Sequence, residues 1–170
     1  MKMKRSGQIW IETVLYTIIG LAIIGVVLAF VTPKINQSRD NIAVEQSINA
    51  MKDLDSKIGD VSQQQGDIGK IDFTINRGYL DINSTSNSIV FVINDLTSLY
   101  SEDGIPITDG DLQILSKKEQ KNDAVYLTLS YDYNITFNGN DTEKVLTAAA
   151  YPYHIYIENK DNHQMDITVG

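Results

Sequence analysis

The chain has 170 residues, with 14 Lys and Arg against 22 Asp and Glu and a formal net charge of −8. That length allows one folded domain plus an extension but not two large cores, and the acidity argues against a sequence-independent grip on nucleic-acid phosphates, so no nucleic-acid partner is expected. The lack of cysteine excludes disulfides, thiol chemistry and zinc–thiolate sites, and leaves the redox compartment open.

Three basic residues, Lys2, Lys4 and Arg5, precede Gly7, and Glu12 stands at the front of an apolar stretch. From Thr13 to Val31 the sequence runs about 19 residues without a charge, which as a helix is about 28 Å, close to the hydrocarbon thickness of a bilayer. A secretory signal peptide is the alternative, but its apolar run is usually about 7–15 residues, and "FVTPKINQ" offers no small-x-small cleavage site. The basic leader places the N-terminus on the cytoplasmic side and the body outside, an asymmetry that Lys34 and Arg39 at the other end reduce. An acidic side chain toward the bilayer centre costs about 2.5–3.5 kcal/mol, and less near the interface. On position alone, Glu12 is a carboxylate at headgroup level with no partner.

A short basic leader, a glycine, a glutamate at the fifth position after it and an uninterrupted apolar helix together resemble a class III signal peptide. That is the mark of type IV pilin-like proteins, and the pattern is most like that of archaeal pilins and archaellins. The resemblance covers about the first 35 residues. It implies a leader over residues 1–7, cleavage by a membrane prepilin peptidase between Gly7 and Gln8, and a transmembrane and assembly helix over 8–32. It also implies that Glu12 sets assembly register by pairing with the freed ammonium of a neighbouring subunit. The implied partners are the membrane, the prepilin peptidase, other pilin subunits and an assembly platform. Cleavage would remove three basic side chains and leave one ammonium for a buried carboxylate to neutralise; such a pair specifies register more than it stabilises, because desolvation offsets the Coulomb gain. Bacterial pilins usually begin with a methylated phenylalanine, whereas Gln8 would be first here, and a free N-terminal glutamine that cyclises to a lactam loses its ammonium. Trp10 is either an interfacial anchor or a packing knob between subunits.

Gly20, Gly25 and Pro33 are points where the helix can loosen or kink, and Gly25 with Ala29 forms a weak small-x-x-x-small pair. Beyond Pro33 the stripe Val44, Ile48, Met51, Leu54, Ile58 and Val61 predicts an amphipathic continuation over 33–62, its apolar face set against the C-terminal domain. "GDVSQQQGDIG" ends it, with a linker over 63–69.

From Lys70 the period becomes two, predicting an outer β-domain over 70–170 with about six to eight strands. "KIDFTIN" and "SIVFVIN" read as strands. "AVYLTLSYDYNITF" reads as one long strand, with Val125, Leu127, Leu129, Tyr131, Tyr133, Ile135 and Phe137 on one face and Tyr126, Thr128, Ser130, Asp132, Asn134 and Thr136 on the other. In "KVLTAAAYPYHIYIEN", Pro152 signals an edge, a bulge or a break, and "QMDITV" is the last strand. "DLQILSKKEQKND" reads as loop. The expected fold is α+β: a long N-terminal helix, membrane-spanning in its first half and amphipathic in its second, packed on an antiparallel sheet or small sandwich.

Catalysis needs convergent titratable groups, and the body offers only His154 in a tyrosine-rich strand and His163 in a turn, so no enzyme is expected. The acidic turns "SEDG", "TDGD" and "GNDTE" lack the spacing of a calcium loop and read as solvated turns, so neither metal nor cofactor is expected. Tyr151, Tyr153 and Tyr156 read as strand packing. Four Asn-x-Ser/Thr sequons, at Asn36, Asn83, Asn134 and Asn140, are open to N-glycosylation if the body lies outside the cell. Taken together, the sequence reads as a subunit of an archaeal surface filament, held in the membrane as a precursor. The alternative is an uncleaved single-span surface protein whose outer domain binds a ligand or partner.

Overall fold

In a computed structural model, residues 5–160 and 163–170 are described. The chain divides into two units, Met1–Arg39 and Asp40–Gly170. One helix, α1 (Arg5–Ser62), contributes to both and runs through Pro33. Proline has no N–H to donate, so the carbonyl of Ala29 loses its usual partner four residues on.

In the second unit α1 is amphipathic as expected. Val44, Ile48, Met51, Leu54, Ile58 and Val61 are all buried, and they join one core with residues of both sheets. The helix ends where the side-chain amide of Asn159 donates to the carbonyls of Val61, Ser62 and Gln64 at 3.0–3.1 Å. The carbonyls of Val61 and Ser62, in the last turn, have no intrahelical donor, and the amide supplies one.

Ten strands follow among the described residues: β1 (Ile68–Phe73), β2 (Tyr79–Asn83), β3 (Ser88–Leu96), β4 (Pro106–Asp109), β5 (Leu112–Lys118), β6 (Asp123–Ser130), β7 (Asn134–Phe137), β8 (Glu143–Thr147), β9 (Tyr153–Lys160) and β10 (Gln164–Val169). They form a four-stranded sheet of order β1-β9-β10-β7 and a six-stranded sheet of order β4-β5-β6-β3-β2-β8. All pairings are antiparallel except β10 with β7, which is parallel. The α+β class therefore stands, with one parallel pair that the alternation did not announce. Phe73 of the smaller sheet and Phe91 of the larger meet across the core, ring centroids 5.9 Å apart.

Four expectations are corrected. The strand count exceeds six to eight, and β1 begins at Ile68, so the linker shortens to residues 63–67. "DLQILSKKEQKND" is largely strand β5, because Leu112, Ile114 and Ser116 alternate inward and Ser116 is fully buried. The Ser116 hydroxyl is satisfied there by the N–H and hydroxyl of Ser101, so a polar residue occupies a core position and hides the period. Finally, "AVYLTLSYDYNITF" is two strands in two sheets: β6 in the larger and β7 in the smaller.

Asn87 holds that crossing. It adopts φ 48°, its carbonyl accepts the Tyr131 N–H at 3.0 Å, and its side-chain oxygen accepts the Ile135 N–H at 3.1 Å. The inward faces persist through the crossing: Val125, Leu127, Leu129 and Ile135 are buried, and Tyr131, Tyr133 and Phe137 pack against the core. Of the three options for Pro152, the break is realised, since Ala148–Pro152 links β8 in one sheet to β9 in the other.

Candidate functional site

The first unit is defined by what it leaves uncovered. Trp10, Tyr16 and Phe30 are 70%, 64% and 74% exposed, and the aliphatic side chains between them are exposed as well. Among the described residues this is one helix long and apolar enough to cross a membrane, and none of its apolar window is buried in the protein. Exposure of this kind is costly in water and costless in hydrocarbon. The polar side chains in the stretch are adapted accordingly: the Thr17 hydroxyl donates to the Thr13 carbonyl at 2.9 Å, and the Thr32 hydroxyl donates to the Leu28 carbonyl at 2.8 Å. Back-bonded hydroxyls keep their hydrogen bonds where no water is present.

Glu12 is exposed at the head of this stretch. Its Oε1 lies 3.4 Å from the hydroxyl of Tyr16, one turn on. A single long bond from a neutral phenol is not a counterion, and no described cation pairs with this carboxylate. Tyr16 is the residue that the sequence reading missed, although its spacing of four from Glu12 is a helical neighbour relation visible in the sequence. The Gly7–Gln8 bond lies in the first turn of α1, where the N–H groups have no intrahelical acceptor. Lys2 and Lys4 lie outside the described residues, as do the side chains of Arg5 and Gln8. At Gly20 and Gly25 an added Cβ meets nothing within 4 Å, so both glycines face open space.

In the second unit the residues singled out from sequence stay apart. His154 Nδ1 lies 2.6 Å from Asp72 Oδ1 on an exposed face, with Lys70 Nζ at 3.3 Å from the same oxygen. The His154 hydrogen bond, aided by Lys70, holds the Asp72 carboxyl below its usual range. His163 sits in the turn before β10, with φ 57°. Two of the acidic turns are tied into the protein: Asp103 accepts the Lys118 N–H at 2.8 Å, and Asp109 pairs with Lys52 at 2.6 Å. Among the described residues there is no group of three or more His, Cys, Asp or Glu placed to hold a metal ion. Tyr153 donates to the Thr147 carbonyl at 2.8 Å, Tyr156 lies near Lys70, and Tyr151 is 82% exposed in the loop between the sheets rather than in a strand.

The sequons differ in access. Asn134 and Asn140 are exposed. Asn83 is partly buried, its oxygen accepting the Ser86 N–H at 3.1 Å. Asn36 is partly buried on α1.

These features define a class: an α+β protein in which the amphipathic half of one helix is built into a β-rich domain while its apolar half is left for a membrane or another apolar surface. No family model, no curated protein and no solved structure matches the chain.

Proposed function

We propose that this chain is the precursor of a structural subunit of an archaeal type IV pilus-like surface filament. It is inserted with its N-terminus cytoplasmic and its β-domain outside, cleaved by a prepilin peptidase after Gly7, and assembled through its N-terminal helix. The observation that carries this reading is the placement of Glu12, a carboxylate without a cationic partner among the described residues, at the head of an uncovered helix free of charge from Thr13 to Val31. A simple anchor gains nothing from a charge there. A subunit whose neighbour brings a new ammonium does, since an unpaired acid in an apolar bundle forces one register. Bundling would withdraw the apolar faces from lipid or water into contacts with their own kind.

The rival is an uncleaved single-span protein with the same topology. Mass spectrometry of the N-terminal peptide from protein isolated from its natural membrane separates them. A peptide beginning at Gln8, free or as the lactam, is expected, whereas one beginning at or near Met1 would replace the filament reading with the anchored one.

A further inference from the structure

The second unit, Asp40–Gly170, holds 9 Lys and Arg against 21 Asp and Glu, a formal charge of −12. The first unit instead ends, beyond its charge-free run, on two cations, Lys34 and Arg39, both exposed on α1. Lys34 Nζ reaches the Gln37 side chain at 3.4 Å. Arg39 makes no ion pair and no side-chain hydrogen bond among the described residues. In the proposed orientation both cations stand on the outer side, where they oppose the charge asymmetry that orients the helix. Ile35, about half exposed, shares a helix face with Arg39 four residues on.

The second unit carries the same layout with the sign reversed. Residues 101–111 hold four carboxylates, Glu102, Asp103, Asp109 and Asp111, and no Lys or Arg. Between them Ile105 and Ile107 are about half exposed. Asp103 is held by the Lys118 N–H and Asp109 by Lys52. The side chains of Glu102 and Asp111 have neither a hydrogen bond nor an ion pair among the described residues. Strand β4 ends the six-stranded sheet, and all four of its residues are exposed. Pro106 has no N–H to offer an added strand, so a partner meets this edge through side chains.

We propose that the β4 edge of one copy docks on the Lys34–Ile35–Arg39 face of α1 in a second copy. Glu102 and Asp111 meet the two cations, and Ile105 and Ile107 cover Ile35. The inference rests on the filament reading for its occupant and adds which surfaces join. Because the two surfaces differ, the contact is head-to-tail and propagates as a filament unless its rotation closes a ring. Opposite charges of this kind fix register and speed encounter, and they weaken with salt. An anionic lipid headgroup is the rival occupant of Lys34 and Arg39, but it leaves the acidic edge without a partner.

The chain has no cysteine, so Ile35→Cys and Ile107→Cys in one full-length chain report the contact by oxidation in native membranes, whether or not filaments form. A ladder of disulfide-linked oligomers is expected, its linked peptides joining position 35 to position 107. Two charge-reversed versions of this chain then separate the occupants. Lys34→Glu with Arg39→Glu sets acid against acid, and Glu102→Lys with Asp111→Lys sets base against base. Each alone should lose the ladder at least about tenfold while keeping its thermal unfolding midpoint. Co-expressed, the two should regain it, because each offers the surface that the other needs; a lipid contact cannot be restored in this way. A ladder that persists in either reversed chain alone overturns the proposal. So does one that fails to return when both folded chains are present, or one whose links never join 35 to 107. A restored ladder from chains that begin at Met1 would remove the filament reading and leave this contact standing.

Discussion

Arg77 donates from Nη1 to Oδ1 of Asp40 at 2.7 Å, fixing the segment between β1 and β2 to the first helical residue of the second unit. Asp40 is 7% exposed, and its other oxygen accepts the N–H of Thr97 at 2.7 Å and the Thr97 hydroxyl. The arrangement depends on an irregularity in β3 between Ile93 and Leu96. Asp95 there takes φ 59°, and Arg77 caps the carbonyls of Asn94 and Asp95. Arg77→Met should therefore lower stability by about 2–3 kcal/mol. This is less than the full cost of breaking a buried pair, because Arg77 is 34% exposed and its charge is partly screened. Urea denaturation of the detergent-solubilised chain reads the effect, and an unchanged midpoint would show that Thr97 alone holds the carboxylate.

The same site sets a pH dependence. Burial pushes the Asp40 carboxyl up, but the Thr97 hydroxyl, the Thr97 N–H and Arg77 together outweigh it and hold the group below its ordinary range. An acid whose folded pKa is lowered contributes stability above its unfolded value, about 3.9, and loses it as pH falls through the folded value. Asp55 runs the other way: burial raises it against the pull of the Tyr131 hydroxyl, so its contribution is present below about pH 3.9 and is lost as pH rises through its folded value. Asp40→Asn should flatten the decline in stability below about pH 4, whereas Asp55→Asn should leave that limb in place.

Gly78 is required by space as well as by conformation. It has φ 86°, and an added Cβ would lie 1.9 Å from the Val92 carbonyl oxygen. Gly104 has φ 71°, but its added Cβ would meet nothing within 4 Å. Gly104→Ala should cost only the left-handed conformation, about 1–2 kcal/mol. Gly78→Ala must also displace the β3 backbone, and should cost more than about 3 kcal/mol or prevent folding. Comparable thermal midpoints for the two variants would contradict this account.

Four of the nine tyrosines should resist ionisation while the protein is folded. Burial, reinforced by Glu45, pushes the Tyr100 hydroxyl up to about 12. Burial likewise raises Tyr126 beside Glu119, Tyr131 beside Asp55, and Tyr133. Tyr131 and Tyr133 also stack, with centroids 5.1 Å apart. Raised folded values mean that stability is intact below the unfolded value of about 10 and falls as pH rises past it. Absorbance at alkaline pH should climb in two stages, the second coinciding with loss of the near-ultraviolet circular dichroism of packed tyrosines. A single stage ending before unfolding would show that these hydroxyls are open to water.

The parts of the fold that were legible are those where one physical rule acts alone. A spacing of three and four marked Val44 to Val61 as a buried stripe, and a charge-free run marked the uncovered helix. The rest was hidden where rules conflict. Ser116 is polar yet buried, because Ser101 satisfies it. The crossing from β6 to β7 preserves the alternation of period two, so only the left-handed turn at Asn87 and its two hydrogen bonds reveal it. The roles of Asp40, Arg77 and Asn159 depend on partners 37 to 98 residues away in sequence, a separation that no local pattern encodes. Glu12 was visible because a charge among apolar residues is itself a signal; the helical spacing to Tyr16 was present as well, but it gained meaning only once their oxygens were placed.

If Glu12 is a register key, its charge and not its volume carries the role. Among the described residues the Tyr16 hydroxyl approaches Oε1 at 3.4 Å, a long bond that brings no opposite charge to the carboxylate. Glu12→Ala should leave membrane insertion intact or improved, since a cost of up to about 2.5–3.5 kcal/mol is removed, while incorporation into filaments drops at least tenfold. Glu12→Gln keeps the size and the acceptor for Tyr16 but loses the charge, and should fail as Glu12→Ala does. Tyr16→Phe, which removes only the phenol donor, should assemble. Sedimentation of sheared filaments, compared with the amount of chain left in the membrane, gives both readouts from one preparation. Assembly of Glu12→Gln at the parental level would show that hydrogen bonding suffices, and assembly of Glu12→Ala at that level would remove Glu12 from the mechanism altogether.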